Sequence, residues 1–162
     1  MKPSELLTLL QDCYRERLAI ILRHQAVARH VGPMDFNNAY QYVIAREDTH
    51  LEWLRTAILE RGGTANGDDR EPAVSAAGKA DSTALIREDA QAAQAFVDRW
   101  RDRVEGVTDA RHRGMLRVIL GETLEHKRFF DQAVAGQQDL LGRRLDAGAR
   151  RGAVIGTRWV GD

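Results

Sequence analysis

The sequence predicts an all-α fold, a four-helix bundle, on three observations. The 162-residue chain has only three prolines, at positions 3, 33 and 72. Between them, Ala- and Leu-rich stretches repeat apolar residues about every 3.6 positions, which is typical of amphipathic helices. Segments with the alternating pattern of β-strands are nearly absent. A chain of this length is expected to form one domain with a packed core.

Start and stop signals delimit the four helices in order. Helix A has Ser4 as its predicted N-cap and ends at the sequence VGPMD. Helix B begins after Asp35 and ends at RGG, with Gly62 or Gly63 as the C-cap. The sequence EGVTD separates helices C and D, and Gly136 follows helix D. The predicted ranges of helices A to D are about 4–31, 36–61, 82–104 and 109–135.

A long connection is predicted between helices B and C. Residues 62–80, GGTANGDDREPAVSAAGKA, contain several glycines and almost no large apolar side chain. About nineteen extended residues can run the length of a helix, so this crossover can bring helix C back parallel to helix B. We expect a bundle domain over residues 1–136, followed by an extension over 137–162 that forms a short helix or a tail.

Charge and cysteine content exclude several classes of function. Twenty-four basic residues balance twenty-four acidic ones, so no net charge favours nucleic acid or an anionic membrane. No stretch approaches eighteen uncharged apolar residues, so no membrane span is predicted. The single cysteine, Cys13, rules out an internal disulfide framework, and the N-terminal sequence lacks the apolar run of a signal peptide. We therefore expect a cytoplasmic protein.

Helix B places two polar residues, Glu47 and His50, on its apolar face. Burial of an unpaired charge costs several kcal/mol, so both side chains need compensating partners. An isolated Glu-x-x-His pair arises easily by chance and is equally compatible with a surface position. The inward stripe of helix B runs through Phe36, Tyr40, Val43, Glu47, His50, Leu54 and Ala57.

The other three helices also place carboxylates at mid-length. In helix A, Glu16 falls in the stripe of Leu6, Leu9, Cys13, Ile20 and Val27. In helix D, Glu122 and His126 fall in the stripe of Met115, Ile119, Phe129 and Ala133. Helix C allows one stripe with Glu88 and another with Asp89; we prefer Glu88, and Asp89 remains the rival. Taken alone, Glu16 and Glu88 are more typical of a helix surface.

Together these residues predict a site for two metal ions. Glu16 precedes Glu47 by 31 residues and Glu88 precedes Glu122 by 34, so the chain looks like two similar helical hairpins. Each hairpin offers one carboxylate and one Glu and His pair. Carboxylates with two imidazoles inside an apolar bundle suit a pair of first-row metal ions, iron or manganese better than zinc.

The order of helices and these residues resemble the ferritin-like superfamily of di-iron carboxylate proteins, which includes rubrerythrins and bacterioferritins. The resemblance covers about residues 4–136. Glu47-Asp48-Thr49-His50 matches the family's Glu-x-x-His, with Glu16 and Glu88 at its first-helix and third-helix carboxylates. The resemblance implies that Glu47 and Glu122 bridge two irons, Glu16 and Glu88 are terminal ligands, and His50 and His126 complete the set.

Helix D departs from the family pattern. Glu122 precedes His126 by four residues instead of three, and the family position is Thr123. Residues four apart still share a helix face, and a one-residue π-bulge would restore the usual geometry. Alternatively, Glu125 supplies the oxygen, or the site is weakened or holds one metal.

The resemblance implies an oxidoreductase that oxidises Fe(II) with O2 or peroxide. One cysteine cannot build a rubredoxin iron site, so redox cycling would need an external electron donor. Haem-binding bacterioferritins use a helix B methionine close to the Glu-x-x-His. No Met lies between residues 35 and 114 of this chain, so the resemblance implies no haem. Tyr14 and Tyr40 fall near the ligand layer. By resemblance we expect a homodimer or a larger homo-oligomer.

Two other classes of function stay open at this point. One is the subunit of an iron-storage cage, which requires a hollow multi-subunit shell. The other is a metal-free or single-metal helical adaptor that keeps the fold without the chemistry. In that adaptor the Arg-rich segment 143–158 would be the binding element, and Thr123 is the sequence feature that favours it.

Overall fold

The computed structural model describes residues 2–32, 34–76, 79–137 and 140–141. It is an all-α four-helix bundle, which confirms the predicted fold class, and the described residues contain no strand. Each helix end lies within about three residues of the range predicted from start and stop signals. The helices are α1 (Pro3–Ala28), α2 (Met34–Glu60), α3 (Lys79–Glu105) and α4 (Ala110–Val134).

The helices pack as two hairpins. Helix α1 packs mainly on α2 and α3 mainly on α4, while α2 against α4 and α1 against α3 join the hairpins. Short connections explain the antiparallel neighbours, since a few residues cannot carry the chain to the far end of a helix. Of the predicted extension, only Gln137, Leu140 and Leu141 are described; the Arg-rich segment 143–158 lies outside the described residues.

The long connection runs the length of a helix, as predicted, and the helix that it follows is α1. Near its start, Gln11 Nε2 donates a hydrogen bond to the carbonyl of Thr64 at 3.0 Å. Farther along, Arg29 pairs with Glu71 at 2.7 Å, close to the end of α1. The chain therefore returns to the starting end of α2 before α3 begins, which makes α2 and α3 parallel.

Ser4, the predicted N-cap of the first helix, lies inside α1 instead, because the helix begins at Pro3 with Lys2 as its N-cap. The predicted signals at the end of α2 and the start of α4 behave as expected. Gly62 follows α2 with φ of 73°, a backbone conformation that glycine adopts without steric cost, and so acts as the predicted C-cap. Asp109 precedes α4, and its side chain accepts a hydrogen bond from the backbone N–H of His112 at 3.0 Å. No described helix combines the length and apolar content that a bilayer crossing requires.

Two apolar clusters form the core and enclose a polar layer. One cluster lies at the beginning of α1 and includes Leu10, Leu54 and Trp100. The other lies at the opposite end and includes Val27 and Phe130. Between them, at mid-length of the helices, buried polar side chains face the bundle interior; they are Arg17, His24, Glu47, His50, Asp89, Thr123 and His126.

Candidate functional site

The polar layer is built around the two residues that the sequence placed inward on α2. Glu47 is 1% exposed and His50 is fully buried, which confirms their predicted position. Both follow from the apolar stripe of α2, because positions three and four residues apart share one helix face. We call the side chains around them the central cluster, which comprises Arg17, His24, Glu47, His50, Thr123 and His126.

Arg17 of α1 supplies the positive charge of the central cluster. Its side chain is 0% exposed. Nη2 donates to Glu47 Oε1 at 3.1 Å and lies 3.3 Å from His50 Nδ1, while Nη1 donates to Thr123 Oγ1 at 3.1 Å. The guanidinium carbon stands 5.2 Å from the centre of the Phe96 ring, within cation–π distance. Through these contacts the side chain of Arg17 connects α1 to α2, α3 and α4.

Two histidines approach Glu47 from α1 and α4. His24 Nδ1 lies 2.8 Å from Glu47 Oε2, and His126 Nδ1 lies 3.6 Å from Oε1. Burial opposes the Glu47 charge, but the charges of His24 and Arg17 outweigh it and hold the Glu47 pKa well below its usual range. Burial also opposes charge on His24, yet the attraction of Glu47 raises the His24 pKa. His24 and Glu47 therefore each stabilise the charged form of the other.

His50 connects the polar layer to an outer carboxylate, that of Glu122. Its Nε2 lies 2.9 Å from Glu122 Oε2, and Arg46 holds both oxygens of Glu122 at 2.9 and 2.7 Å. Arginine can only donate, so His50 Nδ1 accepts from Arg17. The ring proton is therefore assigned to Nε2, which donates to Glu122. Burial and the nearby Arg17 charge lower the pKa of His50 to about 4. His50 is therefore neutral near pH 7.

Two predicted ligands lie outside the central cluster. Glu16 accepts a hydrogen bond from Trp100 Nε1 at 2.7 Å and pairs with Arg99. Glu88 is 58% exposed and pairs with Arg23 at 2.8 Å. The predicted inward position of Glu88 was wrong, whereas Glu16 is partly buried, with its side chain 29% exposed, but lies apart from the central cluster. Each carboxylate has its own partner, an indole N–H and an arginine for Glu16 and an arginine for Glu88.

The rival residue of helix α3, Asp89, does face inward. It is fully buried, and Tyr40 Oη donates to it at 2.6 Å while Arg23 Nε donates at 2.6 Å. Burial, and then the Asp89 charge, raise the pKa of Tyr40. Tyr40 thus lies beside the polar layer, as predicted, whereas Tyr14 packs against the apolar cluster at the start of α1. The stripe containing Asp89 was the correct choice for α3.

Helix α4 keeps the predicted Glu122 and His126 at the site, in different positions. His126 is 2% exposed, while the Glu122 side chain is 28% exposed and lies at the edge. The helix is α-helical from Ala110 to Val134, without the π-bulge that the spacing left open. Thr123 takes the inward position and also donates to the carbonyl of Ile119 at 2.7 Å. Glu125 is exposed and pairs with Arg128.

Sequence reasoning missed Arg17 and His24 because it assigned the wrong stripe to α1. The predicted stripe stepped three residues from Cys13 to Glu16, whereas the structure steps four residues to Arg17. The buried positions advance about 3.7 residues per step, close to the 3.6 of a straight α-helix. The residues that give this spacing are Leu6, Leu10, Cys13, Arg17, Ile21, His24 and Ala28.

The described residues do not fit the two-metal centre that the resemblance implied. They contain no group of three or more His, Cys, Asp or Glu side chains placed to hold a metal ion. Glu16 and Glu88 lie elsewhere, and the Arg17 guanidinium binds the Glu47 oxygen that would bridge two ions. In chemical terms, a cation from the chain itself already compensates the buried carboxylate.

Comparisons with protein-family models, with curated proteins and with solved structures found no match to this chain. The assignment of function therefore depends on the geometry and chemistry of the described residues.

Proposed function

We propose that this protein is a metal-independent binding module built on a ferritin-like four-helix bundle. The observation that carries the proposal is the Arg17 guanidinium, fully buried and bonded to Glu47 and Thr123. The ferritin-like arrangement of two hairpins and a long crossover supplies the scaffold. Arginine supplies the charge compensation that metal ions supply in a di-iron bundle.

Electrostatic repulsion supports this assignment. Two unit charges about 4 Å apart interact by about 4 kcal/mol at the effective dielectric of a protein, so a divalent ion would be repelled by about twice that amount. Arg17 Nη2 is 3.1 Å from Glu47 Oε1, and therefore within this range of any ion bound to that oxygen. Among the residues that the structure describes, the Arg17 guanidinium has no hydrogen bond to a carboxylate other than Glu47, so a metal ion at Glu47 would displace a buried cation from its counter-charge.

The positions of Glu16 and Glu88 support it further. A two-metal site needs about four carboxylates to balance two divalent cations inside an apolar bundle. Here Glu16 is bound by Trp100 and Arg99, and Glu88 pairs with Arg23 on the surface. The inward carboxylate of α3, Asp89, is likewise bound by Arg23 and Tyr40, so only Glu47 and Glu122 of the predicted carboxylates contact the imidazoles.

A single-metal oxidoreductase is the second candidate, and one observation favours it. Four of the six predicted ligands, Glu47, His50, Glu122 and His126, do converge: His50 Nε2 lies 2.9 Å from Glu122 and His126 Nδ1 lies 3.6 Å from Glu47. A protein of this kind would use O2 or peroxide together with an external electron donor. It requires Arg17 to leave the carboxylate that it binds here.

The test is an anaerobic Fe(II) titration of purified, metal-stripped protein, with bound iron measured after gel filtration. The proposal predicts no stoichiometric iron and no change in melting temperature with Fe(II), Mn(II) or Zn(II). One iron per chain would support the single-metal oxidoreductase, and two would restore the di-iron enzyme. Glu47→Gln serves as the matched control, because it removes the central carboxylate and should abolish any genuine binding.

A further inference from the structure

The exposed apolar side chains of the bundle are concentrated on one pair of helices. Among the described residues, five large apolar side chains are exposed, and four of these lie on α2 and α4; they are Tyr42, Leu59, Val118 and Leu124. The fifth, Leu141, follows α4, and none of the five lies on α1 or α3. Scattered exposed apolar residues are ordinary in a monomer, whereas their concentration on one side marks an interaction surface.

The exposed side of α2 is a single stripe. Its members advance by alternating steps of three and four residues and therefore share one face of the helix. Tyr42 and Leu59, at its two ends, are 47% and 55% exposed. One member, Glu52, is charged, and it pairs with Arg55 of the same helix at 3.8 Å. The stripe comprises Tyr42, Ala45, Thr49, Glu52, Thr56 and Leu59.

The exposed side of α4 carries two glycines around an exposed valine. Gly114 and Gly121 lie four residues before and three residues after Val118, and all three are exposed. Glycine inside a helix is destabilising relative to alanine. Beyond the local backbone of α4, nothing in the described chain lies within 4 Å of where a Cβ would stand at either glycine. Packing within the chain therefore does not require these glycines, whereas close approach of another molecule would.

The exposed stripes of α2 and α4 belong to one continuous surface. Near the start of α2, the Tyr42 ring packs edge-on against Phe129, with ring centroids 5.9 Å apart. Near the end of α2, Thr56 and Met115 line one cleft between the two helices. Val118 lies one turn after Met115 on the same side of α4. We call the two exposed stripes and the cleft between them the α2–α4 face.

The charges along the α2–α4 face are paired within the chain. A face that carries equal numbers of positive and negative charges does not repel a copy of itself, whereas opposed like charges would cost affinity. It also offers no surplus charge to attract a nucleic acid or another strongly charged partner. Three arginine–glutamate pairs border the face: Arg46 with Glu122, Arg111 with Glu60 and Arg128 with Glu125.

The size of the α2–α4 face suits an interface between two copies of the chain. Helix α4 has 25 residues. At 1.5 Å per residue it is about 37 Å long, and two helices side by side are about 20 Å wide. The face therefore covers about 700 Å², close to the roughly 800 Å² that each partner buries in a stable interface.

The shape of the α2–α4 face is self-complementary. A two-fold axis parallel to the helices sets α2 of each copy against α4 of the other, so that the protruding Tyr42 and Leu59 meet the helix that carries Gly114 and Gly121. We propose that the α2–α4 face binds a second copy of this chain and forms this two-fold dimer. The inference goes beyond the proposed function, because it does not depend on whether Glu47 binds a metal ion.

The test is sedimentation equilibrium of the purified full chain in EDTA buffer. We expect the mass of two chains at about 100 μM protein, with a Kd in about the micromolar range or below. The mass of a single chain at about 500 μM would overturn the proposal and leave the α2–α4 face to a different protein. Because EDTA removes metal, a monomeric result here leaves the Fe(II) titration interpretable, and the reverse also holds.

A charged variant localises the interface. Val118→Glu should weaken dimerisation by at least about 100-fold, since association would then bury an unpaired charge from each copy. Ala95→Glu places the same charge at an exposed alanine of α3 and is the matched control. It should dimerise like the wild type. Equal weakening by both variants would mean that added charge, and not its position, opposes association.

A glycine variant separates the interface from the fold. Gly121→Gln should weaken the dimer, because its side chain fills the space that α2 of the second copy would occupy. It should also raise the melting temperature of the monomer at concentrations below the dimer Kd, since glutamine is a much better helix former than glycine. A variant that had simply failed to fold would not show this rise. Dimers that survive both Val118→Glu and Gly121→Gln would place the contact elsewhere and refute the assignment.

Discussion

Arg17 and Glu47 form a salt bridge that is closed to solvent, with Nη2 3.1 Å from Oε1 and side chains 0% and 1% exposed. Loss of one partner from such a pair leaves a buried charge uncompensated and typically costs about 3–5 kcal/mol, whereas replacing both partners is far less damaging. The pair joins α1 to α2 at the middle of the bundle. It therefore governs the stability of the fold more than any exposed ion pair does.

Arg17→Met keeps the length of the side chain and removes its charge. We expect it to lower the free energy of unfolding by about 3 kcal/mol, because Glu47 loses its closest guanidinium partner. Glu47→Gln should cost a similar amount. The double variant should cost clearly less than the sum of the two, with a coupling energy of at least about 1 kcal/mol in a double-mutant cycle. Urea unfolding followed by circular dichroism measures all four free energies.

The matched control for this cycle is Arg15→Met, two residues away on the same helix. Arg15 pairs with Asp12, but the side chains are 52% and 35% exposed. Exposed pairs contribute little, so the change should stay within about 0.5 kcal/mol. Equal losses from Arg17→Met and Arg15→Met would contradict the buried ion pair.

Stability should peak near pH 6.5, because two histidines act on opposite sides of that value. The pKa of His50 falls to about 4 in the folded protein, so between pH 6.5 and 4 the unfolded state binds more protons and stability declines as pH falls. Between pH 6.5 and 4 this lowers the free energy of unfolding by about 3 kcal/mol. The His24 pKa is raised, so its contribution is complete below pH 6.5 and disappears as pH rises through the folded value.

Single variants separate the two arms of this pH profile. His50→Gln should flatten the decline between pH 6.5 and about 4.5, below which the carboxylates add their own loss. His24→Gln should flatten the decline above pH 6.5. Thr49→Ala removes a hydroxyl that donates only to the Ala45 carbonyl of the same helix, at a half-buried position, and should leave both arms unchanged. A wild-type protein that gains stability on acidification from pH 6.5 to 5 would show that the sign for His50 is wrong.

Cys13 should be inert in the folded protein. It is 1% exposed, and burial raises the pKa of its thiol to about 12. Since the thiolate is the reactive form, neutral buffer contains almost none of it. A thiol reagent should label Cys13 only after addition of denaturant, at a rate set by unfolding. Rapid labelling without denaturant would mean that the start of α1 opens locally.

The fold was predictable from sequence because local signals agree with tertiary packing. Caps, glycines and helical periodicity define each helix, and the length of the connection fixes α2 and α3 as parallel. In α2 the stripe also gave the correct inward residues, since Tyr40, Glu47 and His50 lie among large apolar neighbours that leave one alignment.

The site was harder to predict because a single step of three or four residues exchanges one charged neighbour for another. Glu16 and Arg17 are adjacent, as are Glu88 and Asp89, and hydropathy does not distinguish them. In both helices the wrong member was chosen. Only tertiary contacts decide, through the Trp100 indole that holds Glu16 and the Tyr40 hydroxyl that holds Asp89.

If Arg17 replaces a metal, its removal should create metal affinity. Arg17→Ala leaves Glu47 with His24 Nδ1 at 2.8 Å and His126 Nδ1 at 3.6 Å, and opens a space where the guanidinium lay. Two imidazoles and one carboxylate form a known ligand set for divalent first-row metals. We expect the variant to bind Co(II) at least about tenfold more tightly than wild type, visible as a d–d absorption band.

The control is the double variant Arg17→Ala/Glu47→Gln, which has the same space but lacks the carboxylate. It should bind Co(II) no better than wild type, because neutral imidazoles alone do not balance a buried divalent charge. Unchanged affinity in Arg17→Ala would mean that the arginine is not what keeps metal out. Tight Co(II) binding by the wild type itself would mean that the metal ion displaces the Arg17 guanidinium from Glu47. The single-metal oxidoreductase would then be the preferred function.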